Sequence, residues 1–445
     1  MQTPIKKSGC EDEPRPRLRK PDRHQMVLVP LCPDHLVPPG HPVRTVAAVV
    51  AKMDLSAFHA SIQAVEGEPG RDATDPALLV GLWLYAAIRG VGSARRLAEL
   101  CEESRPFQWL CGGVTVNHHL LSDFRVEHGD ALDALFTDCV AALVEKGLVK
   151  VKRISQDGVR VQASAGAASF RREERLTELQ EKARRHMAEL RRQAQDPEYA
   201  ATVSARRRTA RERAARGRQE RLEEALAALP ELKRRQEEAA RKAGQGDCGR
   251  RLRAKQPRVS TTDAEARVMK MPNGGFNPAY NAQLATDTES RAIVGVDVTN
   301  EGSDSAGLSE PMREQVEARS ERKVQEHLVD GGYLRTEDLE RAHGENVALF
   351  VPPKPARTPG RRGRELEPRP GDSEAVRAWK ERMRSDDGQA IYKERASTSE
   401  TVNADLRGHR GLVQMTVRGL KKVRCVVLWS ALAYNVMHFW AALLT

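Results

Sequence analysis

The sequence predicts an α/β chain: a mixed sheet flanked by helices, preceded by an all-helical region and interrupted by an inserted antiparallel helical hairpin. Three observations carry this. Up to Leu148 apolar residues recur at helical spacing, and at Lys150 the period drops to two, in VKVKRISQDGVRVQ. From Phe170 to Gly244 glycine almost vanishes and Arg, Glu, Ala and Leu dominate. After the loop KMPNGGFNP, short strand-like runs return and alternate with helical ones. The regions expected are 1–40 (flexible), 41–149 (helical), 150–169 with 256–445 (the sheet domain) and 170–255 (the insertion).

In chain order, the first 40 residues are polar and broken by proline, ending in CPDHLVPPGHP, so neither a leader nor an anchor is expected there. Val43 to Phe58 reads as one helix. Asp75 caps and Pro76 starts the next, DPALLVGLWLYAAIRG. Gly90 and Gly92 separate it from a helix capped by Ser93, Asn117 caps another, and Asp130 opens the last. Short helices joined by glycine turns, with Arg95, Arg96 and Arg125 expected at the surface, suit a helix-turn-helix type of DNA reader. A plain helical bundle would give the same letters. His118 and His119, with no thiol or carboxylate pattern nearby, read as ordinary helix residues.

In the insertion, Leu176, Leu179, Ala183, Met187 and Leu190 recur at three- and four-residue steps, as do Leu222, Ala225, Leu229 and Leu232. Asp196-Pro197 marks the turn between two arms. Arg206 to Arg218 holds seven arginines and one glutamate, too uniform for pairing within the helix, and Arg206, Arg207 and Arg208 are its densest part. Beyond it, Ala279 to Thr286 and Ala292 to Val298 form a hairpin across DTESR. A helix from Ser305, the strand QEHLVDGGY, the strand ALFVPPKP, a linker from Lys354 to Asp372 and a helix from Ser373 to Asp405 complete the order. Cys425 to Leu444 has membrane-span length, but Ser430, Asn435 and His438 within it suit a buried helix that closes a core.

Charge is placed unevenly. The chain carries +11 overall, and residues 171–260 hold 26 Lys/Arg against 15 Asp/Glu, which accounts for the whole excess. Such a segment suits a polyanion partner. Aromatics at 4% argue against base stacking as the main source of affinity. Seven cysteines without a CxxC or zinc spacing imply reduced thiols in a cytoplasm.

Candidate chemistry rests on three carboxylates. Asp157 and Asp330 end short apolar strands and are followed by glycines (Gly158; Gly331 and Gly332), while Glu400 lies on a helix. Acids so placed in a basic protein point to paired Mg²⁺ ions acting on a phosphodiester. At 100° per residue, Tyr392, Asn403, Arg407 and Glu400 fall at roughly 0°, 20°, 60° and 80°, with Arg395 at the edge near roughly −60°. A glutamate flanked by a phenol and guanidinium groups suits a strand held through its phosphates. Asp263, Asp297 and Asp304 compete for the same role.

The motifs QDGVRVQAS, STTDAEARVMKMPNGGFNPAYNAQLATDTESRAIVGVDVTNEGSD, VDGGY and YKERASTSETVNADLRGHRGL carry a resemblance that runs from about Arg23 onward. The chain resembles the DDE-type transposases of bacterial insertion sequences, in the subgroup with a Tyr-Arg-Glu-Lys helix motif. The resemblance implies a ribonuclease-H-like core with Asp157, Asp330 and Glu400 as the DDE triad, holding two Mg²⁺ ions or Mn²⁺. Tyr392 and Arg395 would match the motif's Tyr and Arg, and Arg407 stands where its Lys is expected. The gap from Arg395 to Glu400 holds four residues rather than the commoner three. The implied function is binding of terminal inverted repeats, 3′-end cleavage and strand transfer into double-stranded target DNA. A homodimer on DNA, in the cytoplasm at the nucleoid and away from membranes, would perform it. The rivals are a ribonuclease-H-like nuclease without strand transfer and a non-catalytic DNA-binding protein.

Overall fold

The structure, a computed structural model, describes residues 32–60, 62–64, 72–196, 202–302, 307–355 and 362–445. Residues 1–31 of the first segment, Pro197 of the expected turn and Asp304 lie outside them.

The N-terminal region comprises α1 (Pro42–Val50), α2 (Ser56–His59), α3 (Pro76–Ile88), α4 (Ala94–Glu103), α5 (Arg105–Cys111), α6 (His118–Glu127) and α7 (Gly129–Glu145). Asp75, Ser93 and Asn117 each accept a hydrogen bond from a backbone N–H of the turn they start, which satisfies groups the helix cannot. The single helix expected over Val43 to Phe58 is instead two. Asp54 Oδ1 accepts the Ser56 N–H at 2.9 Å and restarts the chain at α2.

The sheet domain begins with β1 (Arg153–Gln162) and β2 (Phe170–Arg171). The insertion comes next as α8 (Glu173–Ala194), α9 (Ala205–Ala227), α10 (Leu229–Lys242) and α11 (Asp247–Ala254). Then come β3 (Val259–Ser260), β4 (Arg267–Lys270), β5 (Phe276–Asp287), β6 (Ile293–Thr299), α12 (Ser309–Ser320), β7 (Glu326–Leu328), α13 (Thr336–Gly344) and β8 (Ala348–Phe350). The chain ends with α14 (Glu374–Arg384), α15 (Asp386–Arg395), a π-helical turn (Ala396–Glu400), α16 (Thr401–Gly408) and α17 (Leu420–Leu444).

The strands order as β4-β5-β1-β7-β8, with β6 beside β4 on the same edge of β5. β5 is antiparallel to β1, β4 and β6, whereas β7 and β8 run parallel to β1. This curled mixed sheet between helices is consistent with a ribonuclease-H-like DDE domain. The insertion holds the expected antiparallel hairpin: Leu176 near the start of α8 packs with Leu222 and Ala225 near the end of α9. It also holds two further helices, and a short ladder between β2 and β3 closes its neck.

α17 is long and apolar enough to cross a membrane, yet it packs against α3, α7 and β6. The buried Asn435 amide faces strand β6 as another strand would. Its Oδ1 accepts the Ile293 N–H at 2.9 Å and its Nδ2 donates to the Ile293 carbonyl at 2.8 Å. One apolar core therefore runs from α1 through α17 into β1, β5 and β6.

Candidate active site

The position of the two aspartates comes from strand register. β7 pairs with β1 in parallel through Ser155 and Leu328, so two residues further along each chain Asp157 is level with Asp330. Asp330 follows the last paired residue of β7 by two, so both acids lie at the same end of these strands, and both act on Tyr392 and Arg395. One expectation needs correcting here. Asp157 lies within β1 rather than at its end, because pairing with β5 carries the strand on to Gln162. Neither Gly158 nor Gly331 turns the chain through positive φ. Gly331 matters for its closeness to Pro352, whose Cγ would lie 3.2 Å from an added Cβ. The Asp330 carboxylate is exposed and caps no helix.

Alternate residues of β1 share one face, and the stretch from α15 to α16 binds that face at each. Arg153 pairs with Glu326 at 2.5 Å and Glu394 at 2.6 Å. Ser155 Oγ meets Ser399 Oγ at 2.6 Å. Asp157 accepts from Arg395 Nη2 at 3.1 Å on Oδ1 and from Asn403 Nδ2 at 3.0 Å on Oδ2. Burial alone would lower the Arg395 pKa, but Asp157, Tyr392 and Asp330 together push it up. Burial is also the main reason the Tyr392 phenol is pushed above its ordinary range; Asp330 and Asp157 add to this and Arg395 opposes it. Both side chains thus sense both aspartates. The buried Arg395 Nε has no hydrogen-bond partner among the described residues, leaving a donor for an anion.

The π-helical turn explains the long motif gap. Its five residues, Ala396–Glu400, absorb one extra residue in a single turn, so Arg395 and Glu400 stay one turn apart despite the longer spacing. The added residue also rotates the helix beyond it. An unbroken α-helix would set Arg395 and Asn403 roughly 80° apart, whereas here both reach Asp157. Glu400 is next to Ser399, which is bound to β1, but its side chain is exposed. Among the described residues no three His, Cys, Asp or Glu side chains sit close enough to hold one ion. Asp157 and Asp330 are therefore brought together and Glu400 is not. Hard carboxylate oxygens on neighbouring strands fit a divalent cation by donor chemistry. Arg407 is exposed at the end of α16.

The rival acids are engaged elsewhere. Asp263 is buried and accepts from Tyr280 Oη at 2.7 Å, and Asp297 lies on β6, 3.9 Å from Arg424. Of the other arginines, Arg95, Arg206 and Arg207 are exposed and Arg208 is half-buried. Arg96 is exposed and pairs with Glu99 and Glu103.

Residues 31–127 match the family model described as Transposase domain (DUF772), and residues 353–440 match that described as Transposase DDE domain. These two matches support a DDE-type transposase of an insertion sequence. Transposase domains imply DNA as the partner, and DDE transposases generally use divalent metal ions. No curated protein and no solved structure matches the chain. Tyr392, Arg395 and Glu400 fall within the second matched segment, and Asp157 and Asp330 lie between the two.

Arg125, expected on the DNA-facing surface of the transposase, is buried. Its guanidinium lies 4.6 Å from the Trp83 ring centroid, and it donates to the Gly92 carbonyl at 2.5 Å and to Thr416 Oγ1 at 3.3 Å. Burial lowers its pKa to about 10. It joins the N-terminal helices to the segment before α17. Arg125→Met should therefore cost about 2–3 kcal/mol in urea unfolding, since the Gly92 carbonyl and the Thr416 hydroxyl lose hydrogen bonds from a charged donor, while the salt dependence of DNA binding stays as in the wild type. A shallower salt dependence at unchanged stability would return Arg125 to the DNA surface.

The reading of the sequence missed Arg153, Ser155, Glu394 and Ser399. Their only signal was the alternation 153, 155, 157 on a strand that a helix had to cover.

Proposed function

We propose that this transposase binds the terminal inverted repeats of its element, cuts their 3′ ends and joins them to target DNA at a centre built on Asp157 and Asp330. The level placement of the two aspartates beneath Arg395 and Asn403 carries this reading. Asp157 and Asp330, joined by the exposed Glu400 once its side chain turns toward them, would hold Mg²⁺ or Mn²⁺, which when bound supplies an activated water or hydroxyl and neutralises the leaving oxygen. Arg395 and Asn403 fix the two oxygens of Asp157. The exposed Arg407 offers a contact to a scissile strand's phosphates. Tyr392, held protonated, can donate to a phosphate oxygen. Arg206, Arg207 and Arg208 on the insertion, with Arg95 and Arg96 on α4, would grip the flanking duplex. A dimer would bring two element ends together, each protomer carrying the motif subgroup's triad.

The test is incubation of purified protein with a plasmid bearing both element ends and Mg²⁺ or Mn²⁺. The expected products are 3′-nicked ends and joined target molecules, both absent in chelator. Nicked ends without joined products would identify the nuclease instead. The exposure of Glu400 favours a second reading, a DNA-binding protein without catalysis. Protein that binds the ends yet stays inert with either metal would establish it.

A further inference from the structure

A large groove lies outside the aspartate site. Its volume is about 840 Å³, and it runs between the insertion and the β4 edge of the sheet. Five cations line it, Arg172, Arg235, Lys255, Arg258 and Arg267, against one acid, Glu301. Glu301 is already paired with Arg235, which also binds Glu231. The Arg267 guanidinium turns to the Ala264 and Ala266 carbonyls. Arg172, Lys255 and Arg258 remain exposed, with no ion pair among the described residues. Arg172 is also the N-cap residue of α8, next to Glu173 and Glu174 in its first turn.

Apolar side chains are exposed in and beside the groove. Val268 lines the groove and is 50% exposed, and Phe276 on the same β4–β5 hairpin is 66% exposed, so neither is used in folding. Lys270 pairs directly with Phe276 across the hairpin, and Val268, Lys270 and Phe276 share one face of it. Exposed cations without ion pairs among the described residues, together with the exposed Val268 and Phe276, complement a strand of charged phosphates with apolar sugar edges. Register also orients the groove. Ala279 pairs with both Gln162 and Arg267, five residues along β5 from Leu284, the partner of Asp157. That separation is about 17 Å at strand rise, or some five base pairs of duplex.

We propose that this groove seats one backbone of double-stranded DNA on its way to or from the aspartates. Arg172, Lys255 and Arg258 contact phosphates there, and Val268 and Phe276 lie against the sugars. The inference rests on the transposase reading and names the track of its substrate.

The test uses the full chain and a fluorescent 30-base-pair duplex of arbitrary sequence, because phosphate contacts do not depend on sequence. The triple variant Arg172→Gln, Lys255→Gln and Arg258→Gln should bind about 10-fold or more weakly at moderate salt. Its log–log salt slope should be shallower by roughly 2.7, about 0.9 for each phosphate no longer neutralised. Phe276→Ala should weaken binding with the salt slope unchanged. Circular dichroism melts matching the wild type would show that the fold survives, and the single variant Arg258→Gln, with a slope change of roughly 0.9, replaces the triple one if it does not. Wild-type affinity and slope in these variants would overturn the proposal. Loss of self-association in sedimentation with DNA binding intact would overturn it as well, making the groove a protein contact. Duplex binding is read without cleavage, so an inert but groove-dependent binder would sink the catalytic reading alone.

Discussion

Asp330→Asn should leave element-end binding within about 2-fold of the wild type and reduce 3′-end cleavage about 10³-fold or more. The substitution keeps shape and removes one anionic ligand from a site where a cation neutralises the reacting oxygens. A loss of about 4 kcal/mol of transition-state stabilisation corresponds to that factor. Binding survives because the phosphate contacts lie on other residues, and removing a negative charge beside DNA does not weaken attraction. Asp330 is also exposed and caps no helix, so its amide leaves the fold undisturbed. Gel shift and cleavage of an end-labelled fragment, run on the same preparation, separate the two effects. A variant that cuts at the wild-type rate removes Asp330 from the centre.

Asn435→Leu should lower unfolding free energy by about 3 kcal/mol in urea denaturation, among the largest single effects expected in this chain. The leucine fills similar space but strands both the N–H and the carbonyl of Ile293, which Asn435 satisfies inside the core. Each buried unpaired backbone group costs about 1–3 kcal/mol. Because Ile293 opens β6, the damage should spread to the β5–β6 ladder and appear as faster amide exchange there. Stability within about 0.5 kcal/mol of the wild type, the range of ordinary surface substitutions, would show that the pairing carries no weight.

What the sequence disclosed depended on how local each cause was. Asp75, Ser93 and Asn117 were legible because a cap bonds its own first turn. The neighbourhood of Asp157 and Asp330 was legible because each ends an apolar run that a sheet must bury, although the strand continues beyond Asp157. Arg125 was misread because its partners, Trp83, Gly92 and Thr416, are brought to it by the tertiary fold, and charge alone suggested the surface. The region from Ser373 to Asp405 read as one helix and is three helical segments and a π-helical turn: Ser385 caps a restart in which Gly388 lies tight against the Arg382 carbonyl, and the π-helical turn answers contacts with β1. β4 escaped notice because four residues give too short an alternation to stand out beside a glycine-rich loop.

The shared core has a consequence for synthesis. Helices α1, α3 and α7 bury their apolar faces against α17, a partner encoded hundreds of codons later. While the chain emerges from the ribosome, those faces stay uncovered until α17 has been made, a span in which chaperones and proteases compete for them. A copy of the element whose reading frame breaks off before α17 would therefore yield a product that is degraded, rather than a folded competitor for the intact enzyme's DNA ends.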